Sequence, residues 1–377
     1  MPRKFRPSMR SHRTIAILTV VSILCYIWAE NSRVTIRSPY YDDMLGASEW
    51  MVAAMDTLRS HQYARGVFAD EVNDPNLTTL IGQQYTQITT DIGDLEAKWT
   101  ALNPNMAGVM VNYFKQAGLE PGDIVAAGMS GSLPGMNLAF YAAAQQMELK
   151  PVVITSVGAS SWGANDPNFT WLDIEHVLME NNLLTYRSIA ASMGGGEDLG
   201  RRLSPEGREL IQEAIHRNDV IFVEEPTLEG SIQRRLGIYR EYAGGDPVDM
   251  YVNIGGALSS IGDSRNVDEN MIPVGISKPL PSRNYPRRGA IHEFSDLGIP
   301  VLNITNIYTL ADRFALPWTP TPLPEPGSGL LFSERRYNLW ITALALVIVL
   351  ATLIIVLLFD RRTQRLDRPG VDPDTMV

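Results

Sequence analysis

Two long apolar runs lie near the ends of the chain and separate a long middle part from two short tails. The first runs from Thr14 to Ala29 after five basic residues, and the second runs from Leu339 to Phe359 before four arginines. The second run is long enough to cross a bilayer core of roughly 30 Å. The first is typical of a signal peptide or a short signal anchor. An uncleaved anchor is favoured because no small-x-small cleavage site follows it.

The basic flanks of the two runs predict their orientation. Basic residues close to a span stay in the cytoplasm, and here they precede the first run and follow the second. We therefore expect both tails in the cytoplasm, the middle part outside it, and the protein in the inner (cytoplasmic) membrane of the cell.

The stretch from Asp123 to Ser161 has the most informative pattern of the middle part. An apolar run of strand length ends at a loop of Gly, Ser and Pro, and a second apolar run, rich in β-branched residues, ends at another Gly/Ser cluster. Between them, apolar residues follow the spacing of one helix face, namely Met136, Ala139, Phe140, Ala143 and Met147. Strand, loop, helix and strand in this order predict a parallel crossover. Both polar loops then lie at the carboxyl edge of the sheet, where such sheets bind ligands.

Helices and strands alternate along the rest of the middle part as well. Helical spacing is found from Tyr41 to Leu58 and again after Asn103, and Gly118 is expected to end the second helix. Further strands are expected at residues 219–223, 249–254 and 300–305, with helices between them. We therefore predict an α/β fold, a mostly parallel sheet with helices on both faces. A helical segment precedes it, and two transmembrane helices flank it.

These patterns divide the chain into consecutive segments. We expect a basic cytoplasmic tail (1–13), a transmembrane anchor (14–30), a helical first part of the outer domain (31–118), its α/β core (119–316), a proline-rich stalk (317–336), a second transmembrane helix (337–359) and a cytoplasmic tail (360–377). The stalk is expected to be semi-rigid because proline favours extended conformations.

The composition limits the possible ligands of the outer domain. Residues 31–336 contain 37 acidic and 23 basic residues, a net charge of −14 with histidine neutral. A domain this acidic is not a general polyanion binder, so nucleic acid is not expected as a partner, and an anionic ligand requires a local basic pocket. The only cysteine, Cys25, lies in the first apolar run, so the outer domain has no disulfide and depends on its core for stability.

Four short motifs carry a resemblance to a known family. They are Ile88-Thr-Thr-x-x-Gly-x-Leu-x-Ala-Lys98, Asn103-Pro104-Asn105, Ala127-Gly-Met-Ser-Gly-Ser132 with Pro134-Gly135, and Thr155-Ser-Val-Gly-Ala-Ser-Ser-Trp-Gly-Ala-Asn165. With these motifs and its two flanking runs, nearly the whole chain resembles the poly-γ-glutamate system protein family, a membrane-anchored bacterial family associated with poly-γ-glutamate synthesis and export. The resemblance implies a pathway and its partners, which are the polymer and membrane synthase or export proteins. It supplies no catalytic residues.

The loop after the first strand is a candidate site for an anionic group. Backbone N–H groups of a Gly/Ser loop that opens a helix can hold a carboxylate, and Gly131, Gly135 and Asn137 are the substrate-binding candidates there. The loop lacks the Gly-Lys-Ser/Thr end of a nucleotide-binding loop, and an outer domain does not meet ATP or NAD, so no cofactor is expected. The structural alternative is a tight turn whose serines cap the helix.

Ser130 and Ser132 are candidate nucleophiles in the same loop. A serine between a strand and a helix has the position of a nucleophile elbow, although Gly-x-Ser-x-Gly does not occur in register. Such a serine needs a base within about 3 Å. His176 is the first candidate and His292 the next, and an ordinary surface position is the alternative for each.

Further polar residues lie near the ends of the predicted strands or in the Thr-rich segment before them. Those that we take as candidates for binding a carboxylate or amide ligand are Lys98, Ser160, Ser161, Asn165, Glu225, Asn253 and Asn303. Turn, capping and solvent-exposed roles are the alternatives. No metal site is expected, since the outer domain has no cysteine and no histidine pair at ligand spacing.

These observations predict a membrane-anchored extracytoplasmic accessory protein of poly-γ-glutamate synthesis or export, which binds the polymer or the synthase complex. Two alternatives stay open. One is a γ-glutamyl hydrolase or transferase that uses Ser130 or Ser132, and the other is a receptor domain for an unrelated small solute. The sequence leaves open whether the protein is an enzyme.

Overall fold

A computed structural model describes residues 12–366, with side chains up to Phe359, and divides them between two compact units. Residues 38–332 form the larger unit, and the two chain ends, up to Arg37 and from Ser333, form the smaller one. The parts of the predicted cytoplasmic tails at residues 1–11 and 367–377 lie outside the described residues.

Helices and strands follow one another along the described chain. The helices are α1 (His12–Asn31), α2 (Tyr41–Ala64), α3 (Leu95–Ala101), α4 (Met106–Ala117), α5 (Pro134–Gln146), α6 (Trp171–Glu180), α7 (Pro205–Arg217), α8 (Leu228–Tyr242), α9 (Leu258–Ile261), α10 (Arg265–Asp268), α11 (Ala290–Asp296), α12 (Ile307–Arg313) and α13 (Leu339–Leu366). The strands are β1 (Val34–Arg37), β2 (Thr89–Asp91), β3 (Ile124–Ser130), β4 (Lys150–Ser156), β5 (Ala159–Ser160), β6 (Asn165–Asp166), β7 (Phe169–Thr170), β8 (Ser188–Ser192), β9 (Ile221–Phe222), β10 (Met250–Ile254), β11 (Gly275–Ser277), β12 (Val301–Ile304) and β13 (Ser333–Arg336).

The smaller unit contains two helices, α1 and α13, that are long and apolar enough to cross a membrane. Their mean hydropathies are 1.6 and 3.2 over the most apolar windows. Next to them, β1 pairs antiparallel with β13, so that Val34 lies opposite Arg336. Length and composition thus support the prediction of two membrane-spanning helices.

The larger unit is built on a mixed sheet of seven strands in the order β11-β12-β10-β3-β4-β8-β9. All neighbouring pairs are parallel except β11 with β12. From β3 the chain adds β4, β8 and β9 on one side, and it then returns to add β10 and β12 on the other side. The order therefore reverses between β3 and β10.

Both faces of this sheet are covered by helices. Along β3, Val125, Ala127 and Met129 belong to a core that includes residues of α2, α4 and α5, while Ile124 and Ala126 belong to a core with residues of α8 and α11. Successive side chains of a strand point to opposite faces, which is why one apolar run supplies both cores. The prediction of a mostly parallel sheet between two helical layers is confirmed at this level.

The predicted caps begin and end several of these helices. Ser204 and Thr227 accept hydrogen bonds from Gly207 N (3.0 Å) and Gly230 N (3.1 Å) at the starts of α7 and α8. Gly118 ends α4 with a φ of 87°, a conformation that other residues rarely adopt.

The proline-rich segment at residues 317–332 is part of the larger unit and is not a free spacer. Thr319 N donates to Thr100 Oγ1 (3.0 Å), Asn76 Nδ2 to Pro320 O (2.8 Å), and Asn105 Nδ2 to Glu325 O (3.1 Å). Proline supplies no N–H but leaves its carbonyl free, so a segment of this kind can be held by side-chain amides. The predicted stalk thus belongs largely to the domain.

Candidate functional site

A cavity of about 660 Å³ opens at the carboxyl edge of the sheet, where the strand order reverses. Open α/β sheets bind ligands at such a switch point, because the loops of the two central strands diverge there. The polar and charged residues that line the cavity are Thr90, Asp91, Asp94, Lys98, Ser130, Ser132, Ser156, Ser160, Glu197, Arg201, Arg202, Ser264, Asp268 and Thr305.

The two central strands come very close at the floor of this cavity. Gly255 follows β10 with a φ of 90°, and a Cβ atom at this position would lie 2.9 Å from Ser130 Cβ. Glycine is therefore required by the backbone conformation and by the approach to Ser130.

Three serines form a connected group in the cavity wall. Ser130 Oγ donates to Ser132 Oγ (2.9 Å) and accepts from Ser132 N (3.1 Å). Ser160 N donates to Ser132 Oγ (2.9 Å), which ties the end of β3 to β5. The buried side chain of Asn137, at the start of α5, donates through Nδ2 to Ser130 O (3.0 Å). The loop that the sequence marks as polar is therefore rigidly held.

Lys98 extends from α3 to this serine group. Asp94 caps α3 by accepting from Glu96 N (3.0 Å) and Ala97 N (3.3 Å), and this cap positions the turn that carries Lys98. Lys98 Nζ donates to Ser132 O and to Ser160 Oγ (2.9 Å), and only 5% of the lysine is exposed. Burial lowers the pKa of Lys98 to about 8.

A buried ion pair lies beneath another part of the wall. Arg235 Nη2 contacts Asp198 Oδ2 at 3.3 Å, and 2% of each side chain is exposed. Arg235 Nη2 also donates to Ser156 Oγ (3.1 Å) and Ser192 Oγ (2.6 Å), and Ser231 Oγ donates to Asp198 Oδ2 (2.5 Å). The pair thus joins β4, β8 and α8 to the loop after β8, which lines the cavity.

The rim of the cavity carries charges of both signs. Arg201 and Arg202 are exposed, whereas Glu197 is paired with Arg287 Nη1 at 2.8 Å. Asp94 accepts from Tyr308 Oη (2.9 Å) in addition to its capping bonds. Two of the acidic groups are therefore engaged by the protein itself.

The structure brings together four of the predicted site residues, Lys98, Ser130, Ser132 and Ser160, as cavity-lining groups. Gly131 and Gly135 lie behind the wall and have packing roles. A Cβ atom at Gly131 would lie 2.7 Å from Val157 O, and one at Gly135 would lie 2.5 Å from Ala101 O.

His176 is not near either predicted nucleophile. It is exposed on α6, where its Nε2 lies 3.2 Å from Glu180 Oε1. His292 is also elsewhere: it is buried in α11, its Nδ1 accepts from Gly289 N (2.9 Å), and burial lowers its pKa to about 4. The expectation that His176 is the base for Ser130 or Ser132 is therefore wrong: α6 packs against α2 and α7, and His176 does not line the cavity.

Three further candidates also lie outside this cavity. Ser161 is buried and its Oγ donates to Asp91 O (3.4 Å), because neighbouring residues of an extended chain point in opposite directions. Asn165 lines another cavity, of about 410 Å³, where its Oδ1 accepts from Gln83 N (3.0 Å). Glu225 is half-buried beside Gly230 of α8, after the edge strand β9 and three strands from β3.

Asn253 and Asn303 are paired inside the sheet and do not line the cavity. Asn253 Nδ2 donates to Asn303 Oδ1 (2.8 Å) and to Gly255 O (3.0 Å). Asn303 Nδ2 lies 3.2 Å from Thr305 Oγ1. They support the ends of β10 and β12 beneath the site.

The residues that sequence reasoning missed are Ser156, Asp198, Arg201, Arg202 and Arg235. The Gly194-Gly195-Gly196 triplet was the available signal, since it directly precedes this loop. Glu197 and Asp198 have φ values of 57° and 62°, a left-handed conformation that is uncommon for such residues. Within the described part of the chain, no three His, Cys, Asp or Glu side chains form a group that could hold a metal ion.

Comparisons with protein-family models, with curated proteins and with solved structures find no match to this chain.

Proposed function

We propose that this chain is a membrane-anchored extracytoplasmic protein that binds a γ-linked glutamate chain, or its end, in the cavity at the switch point. One observation carries the proposal: a buried lysine amine lies in a cavity of about 660 Å³, and its hydrogen-bond partners are a serine hydroxyl and a main-chain carbonyl oxygen. The volume is within the roughly 300–1,000 Å³ of ordinary ligand pockets.

The lining suits a ligand that carries carboxylate and amide groups. A carboxylate can accept from the Lys98 ammonium and from serine hydroxyls, and charge-assisted hydrogen bonds of this kind are the strong ones. Arg201 and Arg202 at the rim add positive charge, which offsets the carboxylates of Asp91 and Asp268 in the same lining. Amide N–H and C=O groups of the same ligand find partners in the remaining hydroxyls.

The charge of the outer domain limits how much of a polymer it can hold. With a net charge of −14 over residues 31–336, it repels a polyanion everywhere except near local cations. We therefore expect recognition of a few glutamyl units or of a chain end, and not of an extended stretch of polymer.

The membrane part of the proposal rests on α1 and α13. Their basic flanks favour cytoplasmic tails and an outer domain that faces the exported polymer. The sequence resemblance supports the choice of poly-γ-glutamate as the ligand and of a membrane synthase or export protein as the partner.

The test is binding of labelled γ-glutamate oligomers of defined length to the full-length protein in detergent, followed by fluorescence anisotropy. Lys98→Met is expected to weaken binding at least about tenfold, since a hydrogen bond to a charged group contributes about 1.5–3 kcal/mol. Lys150→Met is the matched control, because Lys150 is exposed at the opposite, amino end of β4.

Three results would contradict the proposal. They are equal binding by both variants, equal binding of α-linked glutamate or aspartate oligomers, and no binding of γ-glutamate by folded protein. Preferential binding of a neutral small solute would favour the receptor alternative instead.

A further inference from the structure

The contact between Lys98 and Ser160 places an amine beside a hydroxyl at the cavity wall. Lys98 Nζ and Ser160 Oγ are 2.9 Å apart, and Ser160 is half-buried and lines the cavity. Of the two partners of Lys98 Nζ, one is this hydroxyl and the other is the carbonyl oxygen of Ser132. A serine in hydrogen-bond contact with a lysine amine has the geometry of a nucleophile and its base.

We propose that Ser160 is a nucleophile with Lys98 as its base, and that the cavity cleaves or transfers an acyl group held in an amide bond. The substrate class, an amide of a carboxylate-bearing acyl group such as a γ-glutamyl unit, rests on the proposed function. The nucleophile and its base rest on the geometry alone.

The environment of Lys98 supports its role as a base. A neutral amine has two hydrogens and one lone pair, so it can donate to Ser132 O and at the same time accept the proton of Ser160. Burial lowers the pKa of Lys98 to about 8, so an appreciable fraction of the amine is neutral near pH 7.

The backbone around Ser160 positions its hydroxyl. Ser160 N donates to Ser132 Oγ (2.9 Å), and Ser160 O accepts from Gly163 N (3.0 Å). Gly93 lies against the same hydroxyl, since a Cβ atom on Gly93 would be 2.9 Å from Ser160 Oγ and 2.2 Å from Ser161 O. The chain after β2 can therefore pass this close to Ser160 only as glycine.

Ser130 and Ser132 are less suited to the role than Ser160. Their hydroxyls bond to each other at 2.9 Å, and Ser132 Oγ also accepts from Ser160 N. Lys98 reaches the main-chain oxygen of Ser132 and not its hydroxyl. The pair of serines therefore holds the backbone of the nucleophile.

The reaction is balanced with water or an amine as the second substrate. Ser160 Oγ bonds to the carbonyl carbon while its proton passes to Lys98 Nζ, and the C=O pair moves onto the oxygen. When the tetrahedral intermediate collapses, the C–N bond breaks, and the leaving amine takes the proton from Lys98. Water or a second amine then attacks the ester and gives its proton to Lys98, and Ser160 leaves with that proton.

The test is labelling of the full-length protein in detergent with a fluorophosphonate, followed by peptide mass mapping. A serine nucleophile attacks the phosphorus of this reagent and displaces fluoride. We expect one label on Ser160, with a rate that rises with pH around 8. Lys98→Arg keeps the positive charge but supplies no base, and it should slow labelling at least about 100-fold. Ser161→Ala, which removes a neighbouring buried hydroxyl outside the cavity, should label like the unmodified protein.

The outcomes separate this inference from the proposed function. If the folded protein binds γ-glutamate oligomers but takes no label, Ser160 is not a nucleophile and the inference is refuted. A label on Ser130 or Ser132 instead of Ser160 also refutes it. Labelling that Lys98→Arg and Lys98→Met leave unchanged overturns the role of Lys98 as base. A label on Ser160 in protein that binds no γ-glutamate supports the nucleophile and refutes the polymer as its ligand.

Discussion

Lys98 is expected to lower the stability of the folded protein at neutral pH, and the size of this effect follows from its burial. The pKa of this lysine falls from 10.5 to about 8 on folding because burial disfavours the charged amine. The unfolded chain therefore binds more protons than the folded one between these two values, and the free energy of unfolding rises with pH across this window. At about 1.4 kcal/mol per pH unit, the total rise is about 3 kcal/mol.

Lys98→Met removes this titration and keeps an unbranched side chain of similar length. Relative to this variant, the unmodified protein should become more stable by about 3 kcal/mol between pH 7 and pH 10.5. The acceptors that the variant leaves behind, Ser132 O and Ser160 Oγ, line the cavity and can bind water. Lys98→Met is therefore expected to be more stable than the unmodified protein at pH 7.

The assay is urea unfolding of the full-length protein in detergent, followed by tryptophan fluorescence at several pH values. Lys150→Met is again the control, because Lys150 is exposed at the amino end of β4, away from the cavity. A difference between Lys98→Met and the unmodified protein that is constant from pH 7 to 10.5 would refute the reasoning. It would mean that Lys98 is as well solvated in the folded state as in the unfolded one.

Two further substitutions test the structure around the cavity. Gly255→Ala should lower stability by roughly 1–3 kcal/mol, because φ is 90° and the new Cβ would lie 2.9 Å from a serine Cβ, whereas Gly256→Ala meets nothing within 4 Å and should be nearly neutral in the same urea assay. Asp198→Asn should cost about 3–5 kcal/mol, since it leaves its buried arginine partner without a counter-charge. The control is the pair of half-buried Asp263 with exposed Arg265, where Asp263→Asn should cost at most about 1 kcal/mol. Equal losses of stability in the two glycine variants would contradict backbone strain at Gly255. Equal losses in the two aspartate variants would contradict the burial of the Asp198 ion pair.

Much of the fold could be predicted because each segment of the middle part has a clear apolar pattern, either helical spacing or a continuous run of strand length. The runs that became β3 and β4 are apolar apart from Lys150 and the hydroxyl residues at their carboxyl ends, as is typical of strands covered on both faces. The short antiparallel strand β11, at Gly275–Ser277, was missed. Three residues among several prolines carry no usable period, and their pairing with β12 depends on tertiary packing.

The sequence could predict the location of the candidate site at the ends of the strands, but not the contacts within it. Parallel topology places Ser130 and Ser160 at one edge, and this much follows from the order of the elements. The contact of Lys98 with Ser160 joins residues 62 positions apart and depends on how α3 packs, which no local pattern shows. From the sequence alone, His176 is favoured as the base, because histidine is the usual partner of a serine nucleophile. A lysine becomes a candidate only when its burial is known.

Several energetically unfavourable features meet at this cavity, and their convergence is itself an argument for function. Lys98 is a desolvated cation, and Gly255 has a conformation that other residues rarely adopt. Glu197 and Asp198 are, in the described part of the chain, the only consecutive non-glycine residues with positive φ. Strain and desolvation of this kind persist when the surrounding structure holds them in place, and they cluster at ligand sites. The well-packed cores against the sheet do not require a buried lysine at its carboxyl edge, so we infer that Lys98 is buried there for what it does in the cavity.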